Sequence, residues 1–303
     1  MTAPGVVPME TYHLAKYVVG VPCYLCGGDN ACDNELCRHC QAPMAIGRQL
    51  LQQKTEPKLI ATVGAAGSGK TVYLGMLMDM LSGDEGDLQA LARGAFSITL
   101  QQTTIAALQR CRFPEKTPSE PDCWSWAHCQ VRAKRRRRPL EVVMPDMAGD
   151  AIAEEFEHPG AFPVIQQFLR QATGLLIMID SAQIEEGDKF QDYFVMKALS
   201  YVSELRTARR RRRQPIPVAL LFTKADQCPD CFDNPAAYAE QRTPGLWQHC
   251  QRRFSRHAFF AASVAGACGL RDEYGDGKTL VPLRIEPRGI VEPFAWMTGQ
   301  IGK

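Results

Sequence analysis

Gly64-Ala65-Ala66-Gly67-Ser68-Gly69-Lys70-Thr71 reads G-x-x-x-x-G-K-T, a set of residue types suited to wrapping a polyphosphate. Backbone N–H groups must approach the anion closely, so the wrapping residues are small and include glycines free to take positive φ. Gly64, Gly67, Ser68 and Gly69 would line the phosphates. Lys70 brings a point charge to the terminal phosphates, and the Thr71 hydroxyl can hold Mg²⁺.

Such a loop must join a buried strand to a helix whose N-terminus faces the anion. Residues 58–63, Lys-Leu-Ile-Ala-Thr-Val, read as that strand, and 72–78 as that helix. Downstream, 82–93 reads as a loop, 95–100 as an alternating strand and 104–111 as a helix. A proline-rich loop at 112–121 precedes strands at 124–132 and 139–144. Helices are expected from about 151 and over 163–171, then an apolar strand at 174–180 and a helix at 188–208. Strand 217–222, helix 235–254 and strand 258–261 follow. A polar loop-and-strand segment (266–285) leads to a last helix near 289–300. Strands alternating with helices after a phosphate loop predict an α/β domain with a doubly wound, mostly parallel sheet.

Three further motifs fall at predicted strand ends: Asp146-Met147-Ala148-Gly149, Thr223-Lys224-Ala225-Asp226 and Ala262-Ser263. Strand ends share one rim of such a sheet, so the four motifs converge. With motifs of this kind in this order, the chain from about 58 to 303 resembles the translation-factor-type (TRAFAC) P-loop GTPases. With its cysteine-rich N-terminus and long insert before Asp146, it is similar to the bacterial double-GTPase families of conflict and regulatory gene clusters. The resemblance implies GTP or GDP with Mg²⁺ as ligands.

The residue chemistry agrees. Asp146 can hold Mg²⁺ through water, and the Gly149 N–H can reach the γ-phosphate. Guanine presents two adjacent donors, N1–H and the 2-amino group, which the Asp226 carboxylate can accept together; adenine presents a lone pair there. The Lys224 stem can pack on the base, and backbone N–H groups near Ser263 can face the guanine O6. Thr223 stands where relatives carry asparagine, which makes a weaker tether to the phosphate loop. Pro145 cannot donate to a ladder, so its strand must end there. Asp150 follows Gly149 where many relatives carry a water-orienting glutamine. Shorter and negative beside a polyanion, it is a poor replacement and a weak catalytic candidate, so slow intrinsic hydrolysis is expected unless a partner supplies an arginine. Thr117, in the loop before the strand pair, is the candidate switch threonine for Mg²⁺ and the γ-phosphate. Thr103 and Thr104 compete but sit in a helical pattern.

Twelve cysteines in 303 residues are many. Cys23-x-x-Cys26 and Cys37-x-x-Cys40 have the spacing of a structural Zn²⁺ site of the zinc-ribbon-like knuckle type. Cys32 and His39 lie inside the segment and could substitute. Paired Cys-x-x-Cys spacing argues against a secreted disulfide framework and for a reduced, cytoplasmic chain. Cys228-Pro-Asp-Cys231 reads as a structural or incidental pair, with half of a second metal site, completed by His249, Cys250 or His257, as the alternative. The expected organisation is a knuckle over 1–45, a connector over 46–57 and a nucleotide domain over 58–303.

A net charge of +2 and 45% hydrophobic residues describe a chain with a sizeable core and no global field for nucleic acid. No apolar run reaches membrane-span length. Positive charge gathers at 134–138 and 209–213, each run just before a strand whose far end carries a nucleotide motif. Both would lie on the rim opposite the nucleotide, about 15 Å apart at ~4.8 Å per strand step. Such a rim reads either as a solvated, solubilising surface or as a site for an anionic lipid, a nucleic acid or an acidic protein, although no aromatics interleave with the arginines. Two classes of function follow. One is a GTP-dependent switch with loops around 112–123 and 146–160, read by a protein partner. The other is a non-switching ATPase using Asp180 as its acidic strand end, or a nucleotide-stabilised scaffold.

Overall fold

The computed structural model describes residues 20–83, 86–134, 138–207, 215–273 and 277–301. A short antiparallel pair opens it, β1 (Val21–Pro22) with β2 (Asp29–Asn30), followed by α1 (Met44–Gln53). Then come β3 (Lys58–Gly64), α2 (Lys70–Leu81), β4 (Leu88–Ala92), α3 (Gly94–Gln109), β5 (Trp126–Ala133), β6 (Leu140–Pro145), α4 (Gly149–Glu157) and α5 (Pro163–Gln171). The second half runs β7 (Gly174–Asp180), α6 (Ser181–Glu185), α7 (Phe190–Thr207), β8 (Val218–Thr223), α8 (Pro229–Asp233), α9 (Pro235–Arg242), α10 (Pro244–Arg253) and β9 (His257–Ala261). It ends with β10 (Ser263–Glu273), β11 (Gly277–Arg288) and α11 (Val291–Ile301).

Seven strands form one sheet in the order β4-β5-β6-β3-β7-β8-β9. β6, β3, β7, β8 and β9 are parallel, while β5 runs antiparallel to both neighbours. All seven residues of β7 are buried, as expected of a strand with helices on both faces. The pleat sends alternate side chains to two cores. Leu59, Ala61 and Val63 join the cluster under α1, α4, α5 and α7. Ile60 joins the one under α2, α3 and α11.

The sequence reading needs three corrections. Residues 95–100 lie within α3, whose buried positions Ser97, Leu100, Thr104 and Leu108 recur every three or four residues; the local alternation is overridden by helical packing. The expected loop at 82–93 contains β4, which gains its partner by pairing with β5. The expected single helix over 235–254 is divided at Thr243, because Pro244 begins α10. The segment after Ser263 is a long antiparallel hairpin, β10 with β11, forming its own two-stranded sheet and exposing Leu270 and Leu283.

The expected arginine run at 209–213 and residues 135–137 of the other run lie outside the described residues. Their strands, β6 and β8, are separated by β3 and β7, the spacing the sequence reading assumed. Among the described residues no helix is long and apolar enough to cross a membrane.

Candidate nucleotide and zinc sites

The tips of β3, β6, β8 and β9 gather the four motifs around a cleft of about 350 Å³. Between β3 and α2 the chain turns through Gly67 at φ 76° and Gly69 at φ 83°, the left-handed region that glycine enters without penalty. This turn brings the lysine back over its own loop. Lys70 Nζ donates to the carbonyls of Gly64 at 2.8 Å and Ala65 at 2.9 Å. Burial lowers its pKa to about 8, against the opposing pull of the Asp146 charge. A cation buried this deeply is short of counter-charge, which a polyphosphate would supply. Ser68 Oγ is buried and has no protein partner.

Beside it the magnesium candidates meet. Thr71 Oγ1 lies 3.1 Å from Thr117 Oγ1, and Thr117 Oγ1 donates to Asp146 Oδ2 at 3.3 Å. Asp146 Oδ1 is buried without a partner. Burial raises the Asp146 pKa, opposed by hydrogen bonding from Thr71 and Thr117 and by the Lys70 charge. Two hydroxyls and an under-satisfied carboxylate are a hard-oxygen donor set that fits Mg²⁺, and a dication there would favour the ionised carboxylate. The competing threonines sit away from this corner: Thr103 bonds back to the Thr99 carbonyl and Thr104 is buried in α3.

Gly149 starts α4 directly on the phosphate loop. A Cβ at this position would lie 2.2 Å from the Ala66 nitrogen and 2.5 Å from the Ala65 carbonyl carbon. Those atoms are backbone and cannot swing aside. Overpacking of this kind costs about 1–3 kcal/mol. Gly149→Ala is therefore expected to weaken binding of a GTP analogue with Mg²⁺ by about 10- to 100-fold, measured by calorimetry with a melting curve as control. An unchanged affinity would mean that the two loops part freely.

At the guanine end, Thr223, Lys224, Asp226 and Ser263 line the same cleft. Ser263 Oγ donates to Asp226 Oδ1, and the Ala225 N–H bonds the Ala262 carbonyl at 3.2 Å. The two motifs thus brace each other. Thr223 does tether the phosphate loop, its hydroxyl lying 2.9 Å from the Ser68 carbonyl and 3.1 Å from that of Ile179. Lys224 takes φ 56° and its ammonium bonds Asp180 Oδ2. Asp180 also caps α6 by accepting from the Ala182 and Gln183 N–H groups. Its carboxylate is thus occupied on both sides, by the Lys224 ammonium and by the cap of α6.

Several residues here carried no sequence signal. Phe113 and Lys116 line the cleft from the loop, Cys268 and Leu280 from the hairpin. Asp150 is held by Lys116, Nζ to Oδ2 at 2.6 Å. Trp124, buried, donates from Nε1 to the Pro118 carbonyl at 2.9 Å, and its ring centroid is 6.3 Å from that of Phe162.

The knuckle assembles as its spacing requires. The sulfurs of Cys23, Cys26, Cys37 and Cys40 all lie within 4.8 Å of one another, with Cys23–Cys40 at 3.7 Å and Cys26–Cys37 at 3.6 Å. A tetrahedron with Zn–S of about 2.3 Å has edges of about 3.8 Å. Backbone N–H groups of Leu25, Gly28 and His39 point at three of the sulfurs. The donor set fits Zn²⁺, and Cys32 and His39 are outside it. The Cys228–Cys231 pair fits the structural role favoured by its sequence context rather than the metal alternative. Among the described residues no other such group forms. Cys228, Cys231 and Cys250 are buried, and burial pushes the last two thiols up to about 12. They stay protonated and pack as small apolar groups.

Residues 58–272 match the profile of the family described as Double-GTPase 2. The chain is similar in fold to the Arl6 (BBS3) small GTPase of Trypanosoma brucei with a bound nucleotide analogue: 12% identity, TM-score 0.44, covering 81% of this chain and 98% of that one. A putative nucleolar GTP-binding protein 1 of Plasmodium falciparum gives 12%, 0.42, 81% and 87%. The GTP-bound Ski7 GTPase-like domain of S. cerevisiae gives 14%, 0.42, 71% and 44%. No curated protein matches. Because the family profile begins at the first residue of β3 and runs through the cleft into the hairpin, this chain belongs to the Double-GTPase 2 family.

Proposed function

We propose that this chain binds GTP and GDP with Mg²⁺ and acts as a slow GTPase whose nucleotide state is read by a protein partner. The observation that carries the reading is the corner where Thr117 meets Thr71 and Asp146. A hydroxyl from a surface loop there joins a strand-end carboxylate with an unpaired buried oxygen. That loop has a route outward. Trp124 holds it at Pro118 and packs on Phe162 beyond α4, so a change at the γ-phosphate would move both segments together. Slow turnover, below about 1 s⁻¹, follows from Asp150, an exposed carboxylate tied to Lys116 rather than a neutral group that orients water. The arginine runs remain candidates for binding an anionic lipid, nucleic acid or acidic protein, and the Cys-x-x-Cys spacing supports a cytoplasmic setting.

The test is competition. Fluorescent GDP and GTP are expected to bind at micromolar levels or tighter with Mg²⁺, and a hundredfold excess of ATP to leave them in place. Displacement by ATP would overturn the guanine assignment.

A further inference from the structure

Lys116 directly precedes the magnesium-candidate Thr117, and its side chain lines the phosphate cleft together with Lys70 and Gly149. Its ammonium is 2.6 Å from Asp150 Oδ2, one residue beyond Gly149. Both charges are felt at the centre of the phosphate loop: besides burial and Asp146, the Lys70 pKa is shifted up by Asp150 and down by Lys116. The lysine–aspartate pair therefore lies within electrostatic range of the place where a terminal phosphate would rest on Lys70. The two side chains are 64% and 53% exposed, so their bridge is held weakly and opens readily.

We propose that Lys116 is a catalytic cation supplied in cis, and that Asp150 is a positioning residue that holds it in reserve. This rests on the GTPase reading above. In the reaction a water oxygen bonds to the γ-phosphorus, and the bond from that phosphorus to the bridging oxygen breaks. The electron pair stays on the β-phosphate, and a water proton ends on the released phosphate: GTP⁴⁻ + H₂O → GDP³⁻ + H₂PO₄⁻. Lys116 neither gives nor takes a proton. Its charge offsets the negative charge gathering on the bridging oxygen and γ-oxygens, the role for which a cation in the right place is worth orders of magnitude. A triphosphate terminus outbids one carboxylate for the ammonium, but Asp150 competes throughout, and that competition keeps turnover slow. The reading inverts the expected role of the residue after Gly149, since removing its charge should help.

The experiment is single-turnover hydrolysis of GTP by the full chain, for wild type, Asp150→Asn, Lys116→Gln, Lys116→Arg and the Asp150→Asn/Lys116→Gln double variant. Fluorescent GDP and GTP affinities are measured for each. Asp150→Asn is expected to raise the rate about tenfold and Lys116→Gln to lower it about tenfold or more, as loss of one charge-stabilising group does. The double variant should match Lys116→Gln, and Lys116→Arg should keep most of the activity. A slower Asp150→Asn would make Asp150 the group that orients water and would overturn the proposal. So would an equal gain from Asp150→Asn with glutamine at 116, or an unchanged rate in either single variant. If wild type fails to hold GDP or GTP with Mg²⁺, the GTPase reading itself falls. If all variants bind like wild type and the rates order otherwise, the lysine assignment alone falls.

Discussion

Asp226→Asn is expected to lower GTP affinity by at least about 10²-fold and to make xanthosine triphosphate the better ligand. Guanine offers N1–H and the 2-amino group, and a carboxylate accepts both. Asparagine keeps one acceptor and gains an NH₂ that faces the 2-amino donors. The Ser263 hydroxyl lies against both Asp226 Oδ1 and the Ala265 carbonyl, so it can serve either end of an amide at 226 and leaves the amide free to turn its NH₂ into the cleft. Xanthine carries an oxygen at position 2, an acceptor that suits that NH₂. Sites built on buried hydrogen-bond pairing discriminate by about 10⁴–10⁵ when one pair is mismatched. The half-buried position of Asp226 argues for the lower end of that scale or below. Competition of XTP and GTP for a fluorescent guanine nucleotide measures the shift. An Asp226→Asn protein that keeps wild-type preference would show that the base lies elsewhere.

How much of this was legible depends on whether the chemistry is local. The phosphate loop, Asp146, Asp226 and the cysteine pairs each need fixed residue types at fixed spacing, so the chain announces them, and the sheet then brings them together. Thr117 was legible because the family resemblance places a switch threonine in the loop before the β5–β6 pair. Thr223 was read as a weaker tether, and its hydroxyl does reach the Ser68 carbonyl. What stayed hidden is pairing across distance. Lys116 with Asp150, Lys224 with Asp180, and Trp124 with Pro118 and Phe162 leave no periodic trace, because each depends on where two elements cross. The misread segment at 95–100 alternates by accident of composition. Its burial follows the helix because α3 packs on α2 and β5, and tertiary packing outweighs local pattern. The Cys228–Cys231 pair is ambiguous in sequence for the opposite reason: its spacing also fits a metal, but it is buried with neighbouring apolar side chains of α8, α9 and α10, and among the described residues no further ligands gather around it.

Zinc removal is expected to unsettle the nucleotide domain as well as the knuckle. The knuckle is not an appendage on a tether. Val21, Leu25, Met44, Ile46 and Leu50 belong to the same buried cluster as Trp124, Trp126 and Phe168. Gln49 of α1 also bonds His128 Nδ1 of β5 at 3.0 Å, and His128 in turn lies 3.3 Å from Glu141 of β6. Four thiolates released from the metal would repel or take up protons in a buried space, and a segment with two-residue strands cannot hold them together. Structural zinc in small modules is worth about 10–16 kcal/mol. A loss of even about 5 kcal/mol lowers the melting temperature of a domain this size by about 10–20 °C. The second consequence reaches the cleft. Trp124 sits between the shared core and Pro118, one residue from Thr117, so loosening that core frees the loop that brings the Thr117 hydroxyl to Asp146. Chelated protein, or Cys37→Ser, should therefore bind a GTP analogue more weakly while losing less affinity for GDP, which makes no demand on Thr117. Melting curves and analogue affinities with and without zinc measure both effects. Two separate transitions, with the larger one unmoved and the GTP-to-GDP preference unchanged, would show that the shared core carries no such coupling.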